Sequence, residues 1–156
     1  MRRCWCAAGL DAMVMVGEPA LAADSWIGTW ELNVSKSSYS SGPAPVAETV
    51  TTSDIGDGKL NTIIDVKEQD GKATHFEITY ANDGADYPIG GSAPGKTASS
   101  RYVNAQTLES RLKIDGKAVT TTTEVMAADS MSFISTTIAT TRNGTPIKNV
   151  QVYERI

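Results

Sequence analysis

The stretch Gly28-Thr29-Trp30-Glu31-Leu32-Asn33-Val34-Ser35 alternates polar and apolar residues without a break. A period of two is the pattern of a β-strand that buries one of its faces. Its tryptophan follows a glycine by two positions, close to the start of the segment that we interpret as the mature chain. We therefore expect this stretch to form the first strand of a small β-barrel, a fold whose interior commonly holds a ligand.

The rest of the chain repeats this pattern between turn-forming dipeptides. The dipeptides are Asp57-Gly58, Asp70-Gly71, Asp83-Gly84, Asp115-Gly116 and Asn143-Gly144. Asp-Gly and Asn-Gly tolerate the positive φ angles that tight hairpins require. Their spacing is typical of an antiparallel meander. The predicted strands are 28–34, 46–54, 59–68, 73–81, 98–103, 107–114, 117–126, 131–141 and 147–154.

Several of these segments have one apolar and one polar face. In 107–114, for example, Leu108, Leu112 and Ile114 share a face, and the alternate positions are mostly charged. Such strands fit a closed or nearly closed antiparallel sheet. We predict an all-β fold, a single up-and-down β-barrel of about eight to ten strands. A short helical turn is expected in 36–45 or 104–107, and the long loops 36–46 and 84–97 are expected to rim the barrel.

Composition excludes several classes of partner. The chain has 156 residues, and its net charge is −4 from 18 acidic and 14 basic residues. This balance argues against nucleic acid, since phosphate binding needs a basic face, and against polybasic membrane recruitment. No apolar run is long enough for a transmembrane helix, so we do not expect an integral membrane protein.

The first residues have the pattern of a targeting segment. Arg2 and Arg3 precede a mostly apolar stretch at 7–16, and Ala20-Leu21-Ala22 offers a cleavage site of the A-x-A type. We predict a signal peptide at 1–22, a barrel domain at 23–156, and a periplasmic or secreted location. Both cysteines, Cys4 and Cys6, lie in this segment, so the predicted mature chain has no disulfide and no thiolate nucleophile.

One motif matches a known pattern without its context. Gly90 to Thr97 satisfies the phosphate-loop pattern G-x-x-x-x-G-K-[ST]. That motif needs a buried parallel strand before it and a helix after it, whose N-terminus faces the phosphates. Here a proline precedes the loop and another predicted strand follows it. We therefore predict no nucleotide binding.

No catalytic or metal-binding constellation stands out. His75 is the single histidine, and it shares the polar face of its strand with Glu77 and Thr79. The aspartates lie in or beside turns, where they cap their own backbone. We assign no catalytic residue, no metal ligand and no cofactor.

The aromatic residues indicate where a ligand would bind. Trp30 is interpreted as an architectural residue that closes one end of the barrel. Tyr80 is the best ligand candidate, since a buried phenol needs a polar partner. Small polar residues on inward faces leave space and hydrogen-bonding groups, and Arg101 and Tyr102 follow the long loop near a possible barrel mouth. The predicted ligand-binding residues are Tyr80, Phe76, Phe133, Ser110, Arg101 and Tyr102.

Several motifs of the chain resemble those of a known protein family. Gly28-Thr29-Trp30 on the first strand, the meander, and the closing segment Val150 to Arg155 resemble the calycins, the group of lipocalins, fatty-acid-binding proteins and avidins. With Lys36-Ser37, Gly42-Pro43-Ala44-Pro45 and Asp86-Tyr87-Pro88, the chain is similar to small exported bacterial lipocalin-like proteins, a family without one settled function. The resemblance implies that Arg155 packs across Trp30. The chain lacks the mature cysteines of many secreted lipocalins and a clear long helix after its last strand.

Three functions remain open at this stage. The first is passive binding of a small, partly apolar molecule inside the barrel, which requires a cavity of at least roughly 300 Å³. The second is a lyase, isomerase or hydratase that uses Tyr80, Tyr102 or Arg101 at the barrel mouth. The third is a structural or interaction module with a filled barrel and an apolar outer patch.

Overall fold

The computed structural model describes residues 25–90, 95–141 and 143–156. The predicted signal peptide at 1–22 lies outside these residues. The strands are β1 Gly28–Leu32, β2 Ser38–Tyr39, β3 Ala47–Gly56, β4 Lys59–Lys67, β5 Ala73–Tyr80, β6 Tyr87–Pro88, β7 Lys96–Asn104, β8 Thr107–Ile114, β9 Lys117–Met126, β10 Ser132–Thr140 and β11 Pro146–Arg155. A 3₁₀ turn spans Val34–Lys36.

The strands form one antiparallel sheet that curls into a nearly closed barrel. Neighbours in the sheet follow the order β5-β4-β3-β1-β11-β10-β9-β8-β7-β6, and β2 pairs with β11. Where β5 and β6 approach each other, the Gly90 amide donates to the Glu77 carbonyl at 2.8 Å. First and last strands pair directly, with Trp30 opposite Arg155. The predicted all-β antiparallel barrel is thus confirmed.

The tight turns have the geometry that their sequences predict. Asp57 and Gly58 have φ angles of 54° and 70°, and Asp115 and Gly116 have φ angles of 50° and 76°. Positive φ at both central residues gives a turn whose twist matches the flanking strands. Each pair therefore closes a hairpin, β3 to β4 and β8 to β9.

All nine predicted strands are present, with small shifts at their ends. The two long loops contain the additional short strands β2 and β6. The helical turn is at Val34–Lys36 and overlaps the first predicted range, 36–45, only at Lys36, because the Asn33 side chain accepts a hydrogen bond from the Lys36 amide and ends β1. Residues 104–107 form a hairpin turn instead, with Asn104 opposite Thr107.

An aromatic core surrounds Trp30, which is 1% exposed. Phe133 meets the Trp30 ring edge-on, with centroids 5.1 Å apart, and stacks on Tyr153. The Arg155 guanidinium lies over the Trp30 ring at 4.1 Å, as the family resemblance implies. It also donates to the carbonyls of Ser25 and Ile27. Trp30 is therefore an architectural residue that ties the first strand to the last.

Gly28 is required by this arrangement. Its φ is +141°, and a Cβ atom there would collide with the Arg155 guanidinium. We expect Gly28→Ala to lower the free energy of unfolding by about 1–3 kcal/mol, since both backbone strain and displacement of Arg155 contribute. Urea denaturation measures this loss. The control is Gly42→Ala, where φ is +77° but nothing lies within 4 Å. Equal losses in the two variants would contradict the role given to the Arg155 contact.

Within the described parts of the chain, no helix has both the length and the apolar character needed to cross a membrane.

Candidate functional site

The barrel is not filled by side chains. A cavity of about 310 Å³ lies inside it, between strands from all sides of the barrel. Part of its wall is apolar: Trp26, Trp30, Val50, Leu60, Ile64, Ile78, Ala98, Leu108 and Phe133. The rest is polar: Glu48, Thr52, Thr62, Tyr80, Asn82, Ser99, Ser100, Ser110, Thr122, Glu124, Ser135, Thr137, Gln151 and Tyr153. An apolar wall that carries a smaller number of polar groups is the usual composition of a ligand site.

Tyr80 belongs to a chain of hydroxyl groups on one part of this wall. Its phenol is hydrogen bonded to the Thr62 hydroxyl at 3.1 Å, and Thr62 to the Thr52 hydroxyl at 2.9 Å. Burial raises the pKa of Tyr80 to about 12, although the Thr62 bond partly opposes that shift. The phenol therefore stays neutral at physiological pH and serves as a hydrogen-bonding group.

A second cluster of polar side chains links two strands, β3 and β11. The Tyr153 hydroxyl donates to Glu48 Oε1 at 2.7 Å, and Gln151 Nε2 donates to Glu48 Oε2 at 3.3 Å and to the Tyr153 oxygen at 3.0 Å. Burial raises the pKa of Glu48, and the bonds from Tyr153 and Gln151 oppose the shift. Each oxygen of the Glu48 carboxylate thus accepts a hydrogen bond from a protein donor.

Glu124 is the second carboxylate on the wall, and it is bound differently. It lies on β9, opposite Leu108 of β8 and Ser135 of β10. Burial alone raises its pKa to about 7. Unlike Glu48, it makes no hydrogen bond or ion pair with another residue of the described segments. An acceptor of this kind remains available to a bound molecule.

Charge on the wall has a single sign. The described lining contains two carboxyl side chains, Glu48 and Glu124, and no lysine, arginine or histidine. Opposite charges attract and like charges repel more strongly in a poorly hydrated interior than in water. The cavity therefore disfavours anionic molecules.

The structure places the predicted ligand-binding residues in two groups. Tyr80, Phe133 and Ser110 line the cavity. Phe76 points to the same side of β5 as Tyr80 but is not part of the wall, and Tyr102 packs against the aromatic core instead.

Arg101 lies on the other face of its strand. It is exposed, and its guanidinium donates to Glu109 Oε1 at 3.2 Å. Because successive side chains of a strand point to opposite faces, Arg101 faces away from the cavity that its neighbour Ser100 lines. It is therefore not positioned to contact a ligand inside the barrel.

Sequence reasoning did not find the two carboxylates. Glu124 follows the run Thr120 to Thr123, whose members are all equally suited to either face of a strand. The structure turns Thr122 and Glu124 inward, while Val125 is 47% exposed on the outside. The available signal was Met126, because an inward methionine places Glu124 on the same face.

The segment with the phosphate-loop pattern, Gly90 to Thr97, lies partly outside the described residues. Its last two residues begin strand β7, which pairs with β8. A helix is required at this point of a phosphate loop, and a strand is found.

Among the described residues, no group of three or more histidine, cysteine, aspartate or glutamate side chains is close enough to hold a metal ion.

Comparison with known proteins agrees with the barrel. No family model and no curated protein sequence matches the chain. Among solved structures, the wild-type fluorescent protein UnaG is 17% identical with a TM-score of 0.59, and the match covers 86% of this chain and 99% of that one. The zebrafish ileal bile acid-binding protein in complex with cholic acid is 9% identical with a TM-score of 0.49, covering 85% and 99%. The likeness to UnaG shows that the chain shares the β-barrel fold of that protein.

Proposed function

We propose that this protein binds a small, partly apolar molecule inside its barrel. The observation that carries the proposal is the cavity of about 310 Å³ with a mixed apolar and polar wall. Small-molecule sites have volumes of roughly 300–1,000 Å³, so the cavity suits a compact ligand. A barrel with a filled core would have left no such space.

Two unpaired polar atoms support binding rather than packing. The Ser100 hydroxyl and the Asn82 side-chain oxygen are buried, line the cavity, and have no hydrogen-bond partner in the described structure. Buried polar groups without partners are costly and rare in folded proteins. A ligand that bonds to them would recover that cost.

A bulky side chain that fills the cavity is expected to weaken ligand binding strongly. We expect Ser110→Phe, on the cavity wall, to weaken binding of the neutral aromatic alcohol tryptophol at least about tenfold, because the added ring occupies the ligand's space. Chemical-shift titration of amide signals measures the affinity. The control is Ser53→Phe, which adds the same ring on the exposed face of β3. Unchanged binding in Ser110→Phe would place the ligand elsewhere.

We further propose that the protein is exported. Support comes from the basic start, the apolar stretch and the Ala20-Leu21-Ala22 pattern. Expression with the full leader in a bacterial host is expected to yield a mature protein that begins at Ala23. N-terminal sequencing of the periplasmic or secreted fraction checks this. An intact Met1 in a cytoplasmic fraction would contradict it.

An enzyme that moves a proton is the second candidate, and one observation favours it. Glu124 has a pKa of about 7 in the same cavity as Tyr80, and a general base is most effective near the operating pH. Positioned bases are usually held by a neighbouring group, whereas Glu124 has no such bond in the described structure. Binding is therefore the better supported function. Conversion of a bound molecule that is lost in Glu124→Gln would favour the enzyme.

The third possibility, an interaction module, keeps one supporting feature. Val125 and Ile134 face each other across β9 and β10 on the outer surface, and each is 47% exposed. The cavity, however, contradicts the filled barrel that this possibility requires.

A further inference from the structure

We propose that the ligand of this cavity carries a protonated amine, and that the Glu124 carboxylate receives it. This inference rests on the proposed function and names the chemical class of the molecule. It follows from the charge, the free acceptors and the volume of the cavity.

The negative charge of the cavity wall favours a ligand of positive charge. Two carboxyl groups line the cavity, and the described lining has no basic side chain to balance them. A buried charge is stable only when an opposite charge or several hydrogen bonds compensate it. Glu48 has compensation from Tyr153 and Gln151, whereas Glu124 has none among the described residues. A cationic ligand would supply the missing partner.

Hydroxyl groups on the cavity wall match the donors of an ammonium group. Ser100, which is 6% exposed, has a hydroxyl that lines the cavity and makes no hydrogen bond in the described structure. Ser135 lies directly opposite Glu124 across β9 and β10, and its side chain also lines the cavity. An ammonium group has three donors and no acceptor. The Glu124 carboxylate and hydroxyls of the same wall, that of Ser135 directly opposite, are suitable partners for it.

The apolar part of the wall limits the rest of the ligand. Phe133, Leu108 and Trp30 line the same cavity as Glu124, and Leu108 is its direct cross-strand neighbour. A cavity of about 310 Å³ accommodates one aromatic ring system with a short side chain rather than a long acyl chain. A compact aryl-alkyl amine combines both properties.

Glu124 is the hydrogen-bond acceptor of the cavity whose charge changes near neutral pH. Burial, the largest cause, raises the pKa of the Tyr80 phenol on β5 and of the Tyr153 phenol on β11, and Glu124 raises both further, so both phenols are neutral near pH 7. Glu48, on β3, is the remaining acidic group of the lining, and it is bonded to Tyr153 and Gln151. An aliphatic amine stays protonated below about pH 10. Binding of the amine therefore strengthens as pH rises through about 7, where Glu124 ionises.

Three matched probes test this proposal in calorimetric titrations of the purified protein. Tryptamine is a cation, tryptophol is its neutral counterpart, and indole-3-propionate is an anion of similar size. At pH 8 we expect tryptamine to bind about tenfold or more tightly than tryptophol, as expected for a hydrogen bond to a charged group, and the anion to bind weakest. Between pH 8 and pH 5.5 we expect most of the tryptamine advantage to be lost, because Glu124 becomes protonated over this range.

Two variants test whether the preference for a cation comes from Glu124 or from the cavity as a whole. Glu124→Gln should remove the tryptamine advantage over tryptophol, while Glu31→Gln, which changes an exposed carboxylate on β1, should leave that advantage unchanged. Tryptophol binding equal to or tighter than tryptamine binding would overturn the amine proposal and leave the proposed function standing. Failure of all three probes to bind would overturn both.

Discussion

Replacing Trp30 with alanine is expected to lower the free energy of unfolding by about 3–5 kcal/mol, the usual cost of removing a buried tryptophan. Trp30 is the largest fully buried side chain in the described structure. Its loss removes the edge contact with Phe133 and the surface on which Arg155 lies. Since Trp30 pairs with Arg155 in the register of β1 and β11, the change weakens the junction of the first and last strands.

Urea denaturation followed by circular dichroism measures this loss. Ile134→Ala is the control, because Ile134 also lies on a strand but is 47% exposed on the outer face. Exposed positions usually change stability by less than about 0.5–1 kcal/mol. Similar losses for the two variants would mean that Trp30 is not the centre of the core.

Replacing Glu124 with glutamine is expected to stabilise the protein at pH 8, by about 2–3 kcal/mol. The reference pKa of this glutamate is 4.5, and burial raises it to about 7 in the folded protein. Each unit of pKa difference corresponds to about 1.4 kcal/mol, and partial contact with water in the cavity reduces the total. Residues of functional sites often lower the stability of the fold that contains them.

The sign of the effect fixes its pH dependence. Below pH 4.5 Glu124 is protonated in both folded and unfolded chains, so the wild type carries no penalty there. Between pH 4.5 and about 7 the unfolded chain loses this proton first, so wild-type stability declines as pH rises. Above pH 7 the full penalty is present. Glutamine, which does not ionise, avoids it.

Urea titrations at pH 8 and pH 4.5 compare wild type, Glu124→Gln and the exposed control Glu31→Gln. We expect the gain of Glu124→Gln at pH 8 to shrink to a few tenths of a kcal/mol at pH 4.5. A Glu124→Gln variant that is less stable than wild type at pH 8 would show that the carboxylate has a partner, and would remove the basis for a cationic ligand.

The barrel itself was predictable from local sequence features. Alternation in 107–114 and the Asp-Gly pairs at 57–58 and 115–116 act over a few residues, so a sequence window contains the whole signal. The contact of Arg155 with Trp30 spans the entire chain. It was expected only from the resemblance to the calycins, and local pattern alone does not contain it.

The cavity wall was less predictable because it depends on the pairing of distant strands. Tyr80 and Ser110 were found from the alternation of their own strands. Glu48 and Glu124 were missed, since a charged residue in a strand is assigned to the outside unless its neighbours show otherwise. The inward position of Glu124 becomes visible only from the register that places it opposite Leu108 and Ser135.

The central claim is that the barrel interior is a ligand site, and a crystal structure grown with tryptamine at pH 8 tests it most directly. We predict electron density inside the barrel, with the indole ring against Phe133 and the ammonium nitrogen within hydrogen-bond distance of a Glu124 carboxylate oxygen. An interior filled by rearranged side chains, or tryptamine bound only on the outer surface, would contradict the account.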